Sequence, residues 1–137
     1  MQLSPHFRLA EFASARVRGG VETLPPVHLH ENLRRLAEQL EVLRAELGGV
    51  PVTVNSGWRM PEHNARVGGA AESQHLVGKA ADIHVRGLEP REVAATVVRL
   101  IRAGRMHDGG LDVYETFVHY DIRQHPWRGK RARALEA

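Results

Sequence analysis

The chain has 137 residues, of which 42% are hydrophobic and 26% charged, as expected for one globular domain with a single core. It contains no cysteine, which excludes disulfides and thiolate metal sites and leaves His, Asp and Glu to hold any metal. The net charge of +3 is modest, and neither an apolar run of membrane-spanning length nor a secretory signal peptide is seen.

Helical patterns dominate the first third of the chain. The segment from Ser4 to Ala13 predicts a short helix, and residues 18–26 are interpreted as a loop that ends in two prolines. From Val27 to Leu47, leucines recur at steps of three and four residues, which predicts an amphipathic helix with a stripe that faces the core. Gly48 and Gly49 end that helix.

Short strands and helices alternate in the rest of the chain. Helical patterns begin at Pro61 and at Pro90, each with a proline at the first position. Four β-rich runs predict strands: Val50–Val54, Ala80–Val85, Leu111–Tyr114 and Thr116–Ile122. Helices followed by a sheet that carries the polar residues predict an α+β fold, a small single domain with N-terminal helices packed on a short antiparallel sheet.

The C-terminal residues form a separate basic segment. Residues 128–133 concentrate much of the positive charge at one end of the chain. We therefore divide the chain into a domain over residues 1–127 and a basic tail over residues 128–137. The tail is interpreted either as a solvated, partly disordered end or as a surface that attracts an anionic polymer.

The segment from residue 73 to residue 82 says most about function. It contains His75 and Asp82, separated by a glycine and two alanines, and His119 lies on a run that predicts a neighbouring strand. Two histidines and one aspartate make three ligands and leave a fourth position open for water, which is typical of catalytic rather than structural zinc. Taken alone the spacing is a weak signal, since each histidine could equally fill a gap in the core.

Other side chains could complete a hydrolytic site. Arg59, just after a predicted strand, has a planar cation suited to a developing oxyanion or a substrate carboxylate. Asp121 or Glu115 could move protons, because both are an even number of residues from His119 along the predicted strand. Asp121 could instead orient a histidine ligand. The two tryptophans are interpreted as packing residues.

Four ordered segments of the chain form recognisable motifs. Residues 73–82 have the pattern Ser-x-His-x-x-Gly-x-Ala-x-Asp. The other three segments are the opening at residues 3–12, Ser-Gly-Trp-Arg-Met-Pro at 56–61 and Phe-Val-His-Tyr-Asp-Ile-Arg at 117–123. Together they resemble the peptidase M15 family, in particular its M15A-like zinc peptidases of the D-Ala-D-Ala carboxypeptidase type, whose long motif residues 73–82 match at all specified positions. Residues 1–127 are thereby identified as a zinc peptidase M15-like domain.

The resemblance implies one Zn²⁺ per chain, bound by His75, Asp82 and His119, in a fold shared with the hedgehog signalling domain. It implies hydrolysis of peptide bonds in peptidoglycan stems or cross-links, next to D-amino acids, through a zinc-activated water. Arg59 would assist the substrate or the transition state, and Ser73 would hydrogen-bond near the site as a substrate-binding residue.

Two positions depart from the family pattern. Thr116 stands where relatives place a carboxylate three residues before the last histidine, which leaves the base open between Asp121 and Glu115. Asp112 stands where glycine is usual. The missing acid favours an alternative function, a non-catalytic cell-wall-binding or phage structural module that retains the zinc site.

Expectations for partners and location follow from the same resemblance. Peptidoglycan peptides are the expected partners. Nucleic acid is not expected, because the charge lies at one end, aromatic residues are few and no nucleic-acid-binding motif is present. A membrane is not expected either, because the chain has no apolar run of spanning length. We expect a monomer that is cytoplasmic as synthesised, or phage-encoded, and acts at the cell wall. The cleaved bond (D,D, L,D or cross-bridge) and the choice between carboxypeptidase and endopeptidase stay open.

Overall fold

Short strands and helices alternate along the chain. The computed structural model describes residues 1–14 and 23–136, so that residues 18–22 of the predicted loop lie outside it. The strands are β1 (Gln2–Ser4), β2 (Phe7–Arg8), β3 (Val52–Ser56), β4 (Ala80–Val85), β5 (Gly110–Val113), β6 (Val118–Asp121) and β7 (Trp127–Arg128). The helices are α1 (His30–Glu46), α2 (Pro61–Arg66), α3 (Pro90–Arg102) and α4 (Lys130–Glu136), with 3-10 turns at Leu9–Phe12, Val27–Leu29 and Gln74–Val77. Within these ranges, no helix has both the length and the apolar character needed to span a membrane.

The central sheet has one apolar and one polar face. Its strand order is β3–β4–β6–β5–β7, and neighbours are antiparallel except for β5 and β7, which are parallel. Because side chains alternate along a strand, Ile83 and Val118 enter the core while their neighbours Asp82 and His119 lie on the opposite face. The predicted α+β fold is confirmed, with a sheet that is mixed rather than wholly antiparallel.

Helices α1 and α3 join the apolar face of the sheet in one core cluster. The predicted leucine stripe supplies much of it, since the leucines at positions 33, 36, 40 and 43 of α1 are completely buried. Each such burial stabilises the fold by about 1.5–3 kcal/mol relative to an exposed side chain. With the core on this side, the polar face of the sheet is left to form a site.

The N-terminal segment differs from its prediction. The sequence predicts a helix over Ser4–Ala13, but the chain forms the β1–β2 hairpin and then the 3-10 turn at Leu9–Phe12. A contact with α1 explains the difference. The Glu41 carboxylate accepts hydrogen bonds from the Ser4 hydroxyl at 2.6 Å and from the His6 backbone at 2.7 Å, which fix the hairpin on that helix.

The basic C-terminal segment is folded. Helix α4 contacts α3 and β5, and its Ala132 is completely buried. Arg128 links the segment to the rest of the fold, since its guanidinium donates to the carboxylates of Asp108 and Glu136. The interpretation as a disordered tail is therefore wrong for residues 128–136, because tertiary contacts stabilise a helix that would be too short to form alone.

Candidate metal centre

Three potential ligands converge on the polar face of the sheet. Asp82 on β4 lies directly opposite His119 on β6, and His75 approaches from the 3-10 turn that precedes β4. Asp82 Oδ1 lies 3.3 Å from His75 Nε2 and 3.0 Å from His119 Nδ1. One donor atom of each residue lies within 4.8 Å of the other two. The three ligands predicted from the sequence thus meet at one point.

The turn that carries His75 depends on two other residues of the motif. The Ser73 hydroxyl caps its start by accepting a hydrogen bond from the His75 backbone N–H at 3.2 Å. Gly78 ends it with a φ of +70°, and a Cβ at Gly78 would lie 3.3 Å from side-chain atoms of Leu29 and Leu33. Ser73, predicted to bind substrate, also lines the cleft described below.

Each histidine is oriented by a partner on one ring nitrogen. His75 Nδ1 lies 2.7 Å from the Gly57 carbonyl. Since a carbonyl can only accept, Nδ1 carries the proton and Nε2 is left to bind metal. His119 Nε2 donates to Asp121 Oδ2 at 2.7 Å, which leaves Nδ1 for metal. This is the usual arrangement of metal-binding imidazoles, whose second nitrogen donates to a carbonyl or a carboxylate.

Arg59 orients the third ligand. Its Nη2 donates to Asp82 Oδ2 at 3.0 Å, so that Oδ1 is the oxygen that faces the histidines. Its Nε donates to Ser56 Oγ at 3.1 Å and its Nη1 to Asn64 Oδ1 at 3.3 Å. The sequence predicts Arg59 as a cation for an oxyanion or a substrate carboxylate. The structure places it in the cleft, with all three guanidinium nitrogens engaged, and supports an orienting role.

The carboxylates of the centre favour a positive charge beside them, either a proton on His119 or a metal ion in its place. Burial disfavours the ionised form of Asp82, but hydrogen bonds from His119 and His75 outweigh burial and hold the pKa of this carboxyl well below its usual range. Hydrogen bonds from His119 and Arg123 likewise outweigh burial and lower the pKa of Asp121. Burial alone would lower the pKa of His119, yet Asp121 and Asp82 raise it to about 9. Two imidazole nitrogens and one carboxylate oxygen suit Zn²⁺, so the donor set fits that metal.

The two predicted proton carriers lie away from the open side of the centre. Asp121 is completely buried behind His119, and its oxygens accept hydrogen bonds from His119, the Gly110 backbone and Arg123. This geometry supports the orienting role that the sequence left open for Asp121. Glu115 is exposed between β5 and β6, outside the residues that line the cleft.

A cleft of about 580 Å³ opens over the three ligands. The sequence assigned no role to three of its lining residues, Glu72, Tyr114 and Arg123. Trp127 also lines it, with 41% of its surface exposed and its ring edge-on to His119 at a centroid distance of 6.4 Å. Trp127 thus packs against residues of the cleft rather than in the core. The adjacency of Glu72 to the Ser73 motif was the one signal that could have identified that residue.

An α+β domain with two histidines and an aspartate at the floor of a cleft has the build of a mononuclear zinc protein. A family model described as Peptidase M15 matches residues 5–121, and the chain therefore belongs to the peptidase M15 family. The family predicted from the four segments is confirmed. The chain is also similar to the zinc D-Ala-D-Ala carboxypeptidase of Streptomyces albus G, with 44% identity over 45 residues, or 33% of this chain. That match covers 18% of the length of the relative.

Proposed function

We propose that this protein is a zinc-dependent peptidase that hydrolyses D-amino-acid-containing peptide bonds of bacterial peptidoglycan. The observation that carries the proposal is the convergence of His75 Nε2, Asp82 Oδ1 and His119 Nδ1 at the floor of an open cleft. Membership of the peptidase M15 family supports the reaction class. The name of the Streptomyces relative, a zinc D-Ala-D-Ala carboxypeptidase, supports the choice of metal and of substrate.

Different side chains of the site would orient the metal ligands and transfer the proton. Zinc, when bound, supplies a Lewis acid and lowers the pKa of water. Arg59 and Asp121 keep the donor atoms of Asp82 and His119 pointed at one position. Of the described residues that line the cleft, Glu72 and Asp82 carry carboxylates, and Asp82 is a ligand. We therefore assign to Glu72 the transfer of a proton from the attacking water to the leaving amine.

The test combines metal content with hydrolysis. Elemental mass spectrometry measures zinc per chain, and new amino groups released from purified peptidoglycan and from a synthetic peptide ending in D-Ala-D-Ala measure cleavage. One zinc per chain and cleavage are expected in the wild type, and both are expected to be lost in His119→Ala. The control is His28→Ala, an exposed histidine outside the cleft, which should keep both.

A binding module is the second candidate. It is favoured by Thr116, since no acid stands at this position and the nearby Asp121 is fully engaged. Such a module would hold one zinc per chain and sediment with peptidoglycan without releasing amino groups from it. A wild-type protein that behaves in this way would contradict the peptidase proposal.

A further inference from the structure

Two arginines line the metal cleft, and their hydrogen bonding differs. Arg59 has a partner for each of its guanidinium nitrogens, and its side chain is 13% exposed. Arg123 uses Nε and Nη2 to bind the two oxygens of Asp121 at 2.8 and 2.7 Å. Within residues 1–14 and 23–136, Nη1 of Arg123 has no hydrogen-bond partner, and the side chain is 27% exposed. Arg123 is therefore the less engaged of the two among the described residues, since two of its five guanidinium N–H groups are used, against three in Arg59.

The Arg123 guanidinium is also held in place. One edge is fixed by the bidentate contact with Asp121, which is completely buried. One face lies on the Trp127 ring, with the central carbon 4.8 Å from the ring centroid. Because these contacts restrict the side chain in the free protein, little conformational entropy is lost when a ligand binds its remaining edge.

The position of Arg123 relates it directly to the metal. Its Nη2 and Nε2 of His119 donate to the same atom, Asp121 Oδ2, each at 2.7 Å. The guanidinium thus lies one carboxylate away from a metal ligand, at the Trp127 side of the cleft. With a divalent metal bound, the metal and the two arginines outweigh the carboxylates of Glu72, Asp82 and Asp121, which favours an anionic group in the cleft.

We propose that Arg123, supported by Trp127, binds the free C-terminal carboxylate of the substrate, so that the site removes the last residue of a peptide. The inference rests on the proposed function and deepens it, since it selects carboxypeptidase over endopeptidase action. In the reaction, water adds its oxygen to the carbonyl carbon of the last peptide bond and the C–N bond breaks. The leaving amine takes up a proton, and the carboxylate on Arg123 is unchanged.

The test compares two substrates that differ only in charge. An acetylated peptide ending in D-Ala-D-Ala is assayed with zinc-loaded protein as the free acid and as the C-terminal amide. The wild type is expected to prefer the acid, chiefly through a lower KM. Arg123→Gln should raise KM for the acid by about 10- to 100-fold, the usual effect of a charge-assisted hydrogen bond, and leave KM for the amide little changed. Arg35→Gln, an exposed arginine on α1, is the control.

The outcomes separate this inference from the proposed function. Equal kcat/KM for acid and amide in the wild type overturns it. So does an equal loss for both substrates in Arg123→Gln, which is the signature of a purely structural role. If Arg123→Gln fails to fold or to hold zinc, Arg123→Lys replaces it. The lysine keeps a cation beside Asp121 but lacks the further N–H groups with which the guanidinium would bind the substrate carboxylate. This variant should therefore lose most of the preference for the acid.

Absence of any hydrolysis would contradict the proposed function, and with it the removal of a terminal residue, but would leave carboxylate binding by Arg123 to be tested separately. Calorimetric titration of the zinc-loaded protein with acetyl-D-alanine and with its amide then tests the carboxylate site directly. Preferential binding of the acid that Arg123→Gln abolishes supports the inference, and equal binding overturns it.

Discussion

The direction of each donor atom in the metal centre is decided by a neighbour that lies outside the ligand set. The Gly57 carbonyl, the Arg59 guanidinium and the Asp121 carboxylate each occupy the far side of one ligand. Partners of this kind typically change metal affinity by about 10- to 100-fold when they are removed. The centre is therefore a unit of six groups, of which three would touch the ion.

Proton transfer gives the sharpest prediction for a single residue. Glu72→Gln removes the carboxylate that lines the cleft without being a ligand, and kcat is expected to fall by about 10²- to 10⁴-fold. Zinc content should be unchanged. Steady-state kinetics on the D-Ala-D-Ala peptide measures the effect, with Glu115→Gln as the matched control outside the cleft. If kcat falls in Glu115→Gln and not in Glu72→Gln, the assignment of the two acids is reversed.

The sequence was more informative for the ligands than for the residues around them. His75 and Asp82 belong to one short motif, so their spacing is visible in the chain itself. Arg123 and Trp127 line the cleft because the connection between β6 and β7 brings them beside His119. No local sequence pattern predicts the position of that connection. Asp121 was visible as a candidate, but burial and its partners were needed to distinguish orientation of His119 from catalysis.

Among the elements, those with internal periodicity were predicted and the N-terminal hairpin was not. The leucine repeat of α1 and the apolar run of β4 reflect contacts within one element, so the sequence shows them directly. The hairpin depends on Glu41, which lies 35 residues from His6 and accepts its backbone N–H. A hydrogen bond to such a distant residue overrides the local helix propensity, and no periodic pattern in the sequence reveals it.

The Glu41 contacts predict a pH-dependent stability. Burial opposes ionisation of Glu41, but hydrogen bonds from Ser4 and His6 outweigh it and lower the pKa of the carboxyl below its ordinary value of 4.5. Stability from a lowered carboxyl pKa is present above the ordinary value and is lost as the pH falls through the folded-state pKa. Glu41→Gln should therefore reduce the free energy of unfolding by about 1–2 kcal/mol at neutral pH and by much less in acid.

Urea unfolding of the wild type and of Glu41→Gln, at neutral pH and at about pH 3, measures this difference. Glu38→Gln, an exposed change on the same helix, is the control and should have little effect at either pH. A destabilisation by Glu41→Gln that is equal at both pH values would show that the charge of Glu41 is not the source of its contribution.

For the molecule as a whole, the C-terminal segment completes the fold. Strand β7 adds to the edge of the sheet beside β5, and α4 contacts α3 and β5. Trp127 on β7 reaches the metal cleft while Ala132 on α4 is completely buried, so one short stretch supports both the site and the core. We propose that the folded domain extends beyond residue 127 to include this helix.

Two alanines of α4 test that extension. Ala132→Glu forces an unpaired charge into a buried position, and the free energy of unfolding is expected to fall by about 2–4 kcal/mol. Ala134→Glu makes the same chemical change at an exposed position of the same helix and should be nearly neutral. Denaturant titrations of both variants give the comparison, and equal destabilisation would mean that α4 does not pack as described.

The strand register that brings Asp82 opposite His119 links the candidate metal site to the alignment of the sheet. His75 and Asp82 are close in the chain, but His119 joins them only when β4 and β6 pair in their native alignment. A slip by one residue would turn His119 toward the core and place an apolar neighbour beside Asp82. A misaligned chain would offer a metal ion two ligands instead of three. Its metal affinity would be lower than that of the native chain, so a competing chelator would remove the ion more easily. A metal bound by all three residues would thus favour the native alignment of β4 and β6 over a shifted one.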